Sequence, residues 1–144
     1  MLDIHFYTAY MERLGNTWYG KTLYSVCVGA LGVVILAVFL AGLLEAAALE
    51  KLLPIIVGFN AALTAYMTVD KTRNMVARKQ AISVGSGIAM VLLAFAGLNI
   101  LFYKWAGYSL VGIGMLMILL VVGIIAASLG GKLCAKYLEL NHSV

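Results

Sequence analysis

Charged positions are scarce along this chain and interrupt its apolar stretches at intervals. Between them lie four apolar runs, Thr22 to Leu44, Leu52 to Val69, Ala81 to Phe102 and Tyr108 to Leu129, none of which contains Asp, Glu, Lys or Arg. A helix that crosses the ~30 Å hydrocarbon core of a bilayer takes about 20 mostly apolar residues and satisfies its own backbone hydrogen bonds there. Each run therefore predicts a transmembrane helix. The second is the shortest, and Pro54 near its start is expected in the first helical turn, where a missing N–H costs little. No turn residue separates Gly42 from Pro54 in "GLLEAAALEKLLP", so the first helix is expected to overrun the bilayer and place Glu45 and Glu50 just outside it. Residues 130–144 read as a cytoplasmic tail.

Ahead of the first run, Ile4, Tyr7, Met11, Leu14 and Trp18 recur at helical spacing, while Asp3, His5, Thr8, Glu12, Arg13 and Asn16 fall largely elsewhere. That pattern predicts, over residues 1–20, an amphipathic helix ending at Gly15 and lying in the membrane interface, with Trp18, Tyr19 and Tyr24 at headgroup level. The same stripe would also suit docking against another protein. The first run is too long, and begins too late, for the apolar core of a signal peptide, and is expected to be retained.

Charge then sets direction. If the four spans alternate, Arg13, Lys21, Lys71, Arg73, Arg78, Lys79, Lys132 and Lys136 share one side, leaving Lys51 and Lys104 on the other. Loops rich in Lys and Arg stay cytoplasmic, so both termini and the "DKTRNMVARK" connection are expected there, in a bacterial inner membrane. Topology alone accounts for Lys71, Arg73, Arg78 and Lys79, which are also candidates to hold anionic lipid headgroups or an acidic partner. On the other side, Tyr103, Trp105 and Tyr108 around Lys104 read as interfacial anchors.

Composition agrees with lipid as the solvent: 64% of the 144 residues are hydrophobic and mean hydropathy is +1.03. The net charge of +4 sits at the ends of apolar runs rather than on a polar face, which argues against nucleic acid as a partner. The two cysteines, Cys27 within a span and Cys134 beyond the last, form neither a metal cluster nor a disulfide framework. Cys27 reads as a small packing residue and Cys134 as a juxtamembrane thiol open to acylation in a eukaryotic host. His5 and His142 fall outside the spans, so no histidine pair is placed to hold haem in the bilayer, and no cofactor or metal site is expected. The charged and arginine motifs of microsomal glutathione transferases, small multidrug exporters and fluoride channels do not occur.

Within the spans the polar candidates are Asn60, Thr64 and Thr68, spaced by four, together with Ser83, Ser86 and Asn99. Such residues commonly join helices by hydrogen bonds, and a solute path is the sharper alternative. Asn60 and Asn99 lie at matched depth and are expected to hydrogen-bond across the bundle or to share a water. Small residues at close-approach spacing, Gly29 with Gly32, Ala37 with Ala41, Ser83 with Gly87 and Gly123 with Ala127, are candidate helix-packing positions, serving either this bundle or a neighbour.

The expected architecture is one all-α integral membrane domain over residues 1–144, a four-transmembrane-helix bundle with an N-terminal interfacial helix. No nucleophile with its base, phosphate loop or buried acid is present, so catalysis is the least supported class. A small non-catalytic subunit that scaffolds a larger membrane complex or a homo-oligomer is the expected function. A small transporter or channel along the second and third spans is the alternative, and a lipid-binding accessory protein using the basic loop comes third.

Overall fold

The computed structural model describes residues 2–72, 78–107 and 111–142, with side chains for these except at 2, 3, 105, 106, 141 and 142. It is all-helical over them: α1 (Leu2–Gly15), α2 (Trp18–Ala41), α3 (Ala46–Thr72), α4 (Lys79–Ala106) and α5 (Ile113–His142). The last four are each long and apolar enough to cross a membrane. Arg73 and Tyr108 lie outside the described residues.

Local chemistry explains several boundaries. Thr17 caps α2, its Oγ1 accepting the Gly20 N–H at 3.2 Å, which supplies a partner to one of the orphan donors of a first turn. Gly107 ends α4 at φ 74°, a left-handed position that glycine adopts without a Cβ penalty.

Three boundaries differ from the sequence reading, each because packing outweighs local propensity. The chain does not run on as one helix past Gly42. It turns over Gly42 to Glu45, and the "AAALEKLL" stretch opens α3 instead. The reason is a buried stripe that begins at Leu49 and Leu53 and continues every three to four residues through Val57, Ala61, Ala65 and Val69, which commits those residues to α3. Pro54 consequently sits eight residues inside α3 rather than in its first turn. At the other end of the chain α5 passes well beyond Leu129, so residues 130–142 are helix rather than tail. Hydropathy stops at Lys132, but Lys132 and Lys136 are exposed while Gly130, Gly131, Cys134 and Leu138 carry the buried stripe onward. Cys134 is fully buried in a cluster with Val69 and Leu138, not a surface thiol.

Packing places α3 at the centre, against α2, α4 and α5. Helix α4 packs against both α2 and α5, which do not pack against each other among the described residues. Along its most apolar window α3 is 56% buried, whereas α5 is 22% buried. The exposed faces of α2, α4 and α5 are nonetheless apolar, with Leu31, Ile35, Leu92, Ile100, Ile118 and Ile125 all facing outward, as lipid-facing helices require. Among the described residues helix α1 packs against α2 alone. Its expected stripe does not dock on the bundle: Ile4, Tyr7 and Met11 are exposed, Leu14 is half-buried, and Trp18 belongs to α2 beyond the Asn16–Thr17 break.

Candidate functional site

The candidate polar residues fall into two groups that spacing alone did not separate. On α3, Asn60, Thr64 and Thr68 all point into the bundle, and all three are buried. Their hydrogen bonds stay within α3. Asn60 Nδ2 donates to the Ile56 carbonyl at 2.9 Å, Thr68 Oγ1 to Thr64 O at 2.7 Å, and Thr72 Oγ1 to Thr68 O at 2.6 Å. Thr64 Oγ1 is the buried side-chain polar atom left without a partner among the described residues.

On α4 the polar groups reach across. Ser83 Oγ donates to the Ala127 carbonyl of α5 at 2.6 Å, and Gln80 Nε2 donates to Ser128 Oγ at 2.6 Å. Ser86 Oγ turns back to Ser83 O at 2.7 Å within its own helix. Asn99 does not meet Asn60. Its amide instead accepts from the Val111 N–H at 3.1 Å and donates to the Val111 carbonyl at 3.2 Å, pinning the end of α4 to the start of α5. Asn60 Nδ2 and both polar atoms of the Asn99 amide are thus bonded to backbone.

Glycine makes these approaches possible. A Cβ at Gly29 would overlap Thr64 Oγ1, and one at Gly32 would lie 2.5 Å from Asn60 Oδ1, so α2 receives the polar stripe of α3 where it has no side chains. Between α4 and α5, a Cβ at Gly87 would overlap the Ala127 Cβ and one at Gly123 would lie 2.5 Å from Val91 Cγ2. The candidate packing residues Gly29, Gly32, Gly87, Gly123 and Ala127 thus all serve contacts inside this chain. Sequence reasoning missed Gly130 and Gly131. A Cβ at Gly130 would overlap the Ala62 carbonyl oxygen of α3, and one at Gly131 would overlap Ser83 Oγ of α4. The available signal was the continuation of the Gly123, Ala127 series by four to Gly131, beyond the point where hydropathy ended the span.

The basic candidates are spread around one end of the bundle. Lys71 Nζ lies 3.9 Å from the centroid of the Tyr24 ring, a cation–π contact between α3 and α2. Arg78 is exposed at the start of α4 and its side chain makes no capping bond, while Lys79 is half-buried. At the opposite end Glu45, Glu50, Lys51 and Lys104 are exposed. No group of three or more His, Cys, Asp or Glu is placed to hold a metal among the described residues. Comparison with protein-family models, with curated proteins and with solved structures finds no match to this chain.

Proposed function

We propose that the chain is a small non-catalytic integral membrane subunit that scaffolds a larger membrane complex or assembles with copies of itself. In this reading both termini and the basic end face the cytoplasm, in keeping with the eight-to-two division of Lys and Arg, and α1 lies in the interface. The observation that carries the assembly reading is on α4. Ala81, Gly85 and Ala89 are spaced by four and all exposed, and a Cβ at Gly85 would meet nothing within 4 Å. Small residues at this spacing let a second helix approach closely, and this set is not consumed by the bundle itself. The transporter alternative, with a path along Asn60, Thr64 and Thr68, has less support, because Asn60 and Thr68 already donate to backbone and the bundle has an apolar core that includes Val33, Leu53, Val57, Met90 and Leu98.

Native mass spectrometry after extraction in mild detergent tests the proposal. A homo-oligomer or a fixed heteromeric complex is expected, dissociated by Gly85→Leu with the thermal stability of the monomer unchanged. A monomer in both detergent and membrane crosslinking, accompanied by solute flux in liposomes, would replace the subunit by the transporter.

A further inference from the structure

Where α1 meets α2, beside the last turn of α3, lies an open cavity of about 360 Å³ lined by Gly15, Gly20, Lys21, Tyr24 and Lys71. We propose that this cavity binds a phosphate group, and that its occupant is the headgroup of an anionic phospholipid. The proposal rests on the four helices crossing a membrane and is independent of whether the chain oligomerises.

Two half-buried lysines from different helices, Lys21 and Lys71, line the same space. Among the described residues neither is ion-paired with a carboxylate, and Asp70, next to Lys71 in sequence, is exposed. Like charges gathered around one cavity repel each other, and a bound anion reverses that sign. Lys71 is also held in place: the Tyr24 ring lies 3.9 Å from Nζ and covers one side of the ammonium, which has three donors to offer and can direct the others elsewhere. Pre-positioning of this kind lowers the ordering cost of binding.

The walls of the cavity are fixed by close backbone packing. A Cβ at Gly20 would overlap the Leu14 carbonyl oxygen, so the end of α1 lies directly on α2, and Thr17 Oγ1 ties the corner by donating to Leu14 O at 2.7 Å. Gly15, by contrast, faces open space, and nothing lies within 4 Å of where its Cβ would be.

A lipid fits better than a free anion because of what continues from the cavity. From Tyr24 the exposed residues Val28, Leu31 and Ile35 follow at helical spacing along one face of α2, an apolar track in the membrane direction on which acyl chains can lie. Basic pockets beside the ends of transmembrane helices are the usual seats of anionic headgroups.

Lipid retention on the intact protein in mild detergent, read by native mass spectrometry after exposure to phosphatidylglycerol or to phosphatidylcholine, decides the matter. Phosphatidylglycerol is expected to be retained in preference. Lys21→Gln and Lys71→Gln are each expected to lower its retention about five-fold, the effect of one juxtamembrane cation, while Lys132→Gln, an equal charge change on exposed α5, leaves it unchanged. Gly15→Leu, which adds an apolar side chain to the lining without changing charge, is expected to lower retention as well, with helical content by circular dichroism unchanged. Equal retention of phosphatidylcholine, or an equal loss with Lys132→Gln, overturns the site. Displacement of the lipid by millimolar inorganic phosphate removes the headgroup as occupant. A chain that stays soluble without detergent would instead overturn the membrane reading on which the proposal stands.

Discussion

Between α2 and α3, Gly29 and Gly32 receive Thr64 and Asn60, side chains whose hydrogen bonds either stay within α3 or, at Thr64 Oγ1, are not made among the described residues. Around α5 the glycines admit something different. Gly130 meets the backbone of Ala62, Gly131 meets Ser83, and Ser83 itself donates across to Ala127 O. Both seams combine small and polar residues, yet among the described residues only the second is hydrogen-bonded across. The first is a packing contact in which polar atoms fill space beside glycine, and the second is a joint. A polar residue within a span therefore says little until its partner is known, because a Thr or Ser hydroxyl can return to its own helix at i−4 as readily as it can cross.

The contrast is broken most severely at Gly130. An alanine there would press its Cβ onto the Ala62 carbonyl oxygen, with the Ala62 C and Cα each 2.9 Å away, and backbone cannot rotate out of the way as a side chain can. Helices α3 and α5 must separate, so Gly130→Ala is expected to destabilise by about 3 kcal/mol, the upper part of the usual range for overpacking. Reversible unfolding by denaturant titration measures it. A loss under 1 kcal/mol would show that the α5 joint yields easily.

Gly29→Ala probes the other seam and is expected to cost less, about 1.5 kcal/mol, because the atoms in its way are Thr64 Oγ1 and Met90 Cγ, the latter 2.9 Å away, and both belong to side chains. Threonine has two usable helical rotamers and methionine is flexible, so part of the clash can relax. The sharper form is a double-mutant cycle with Thr64→Ala. Removing the hydroxyl and methyl removes the obstacle, so the double variant is expected to be more stable than the sum of the singles by about 1 kcal/mol, a coupling typical of residues in contact. Strict additivity would mean that Gly29 is needed for something other than room for Thr64.

How much of this was legible in the sequence depends on which force set each feature. The spans themselves were readable, because the absence of charge over twenty or so residues is a constraint imposed by lipid and owes nothing to the partner helix. Where the connections fall was less so. Gly42 marked the turn before α3, but the run of helix formers after it pointed to continuation, and only the buried stripe starting at Leu49 explains why the chain turns. The end of α5 was hidden for the opposite reason, since exposed Lys132 and Lys136 interrupt the hydropathy while the packed face continues to Leu138. The polar candidates were found but not their partners. Asn60 and Asn99 match in depth, yet depth fixes only one coordinate, and the α4–α5 connection brought Val111 to Asn99 instead. The cavity at Lys21 was missed because its walls come from a glycine corner and two separate helices, which share no sequence period.

The smallest effects separate the two seams by sign. Ser83→Ala removes the hydroxyl that joins α4 to Ala127 O at 2.6 Å and leaves a void beside Gly131, so a loss of ~0.6 kcal/mol is expected, the average for a hydrogen bond between transmembrane helices. Thr64→Val makes a comparable deletion of one hydroxyl at a similar burial, 1% exposed against 0% for Ser83. There, among the described residues, the hydroxyl has no bond to lose. Its replacement by a methyl of similar shape relieves a buried polar atom of its lost solvation, which alone favours the variant by about 1 kcal/mol or more. Against this, a methyl is larger than an oxygen, and the contact with Gly29 is already too close to admit a Cβ. The two terms nearly cancel, so Thr64→Val is expected to lie within ~0.5 kcal/mol of the parent, on the stabilising side, where Ser83→Ala lies on the other. Both are read in the same denaturant titration. A loss above about 1 kcal/mol for Thr64→Val, more than the average membrane hydrogen bond and within its measured range, would mean that Thr64 Oγ1 is bonded in the membrane to a water or a neighbouring chain, and that the α2–α3 seam is a polar joint after all.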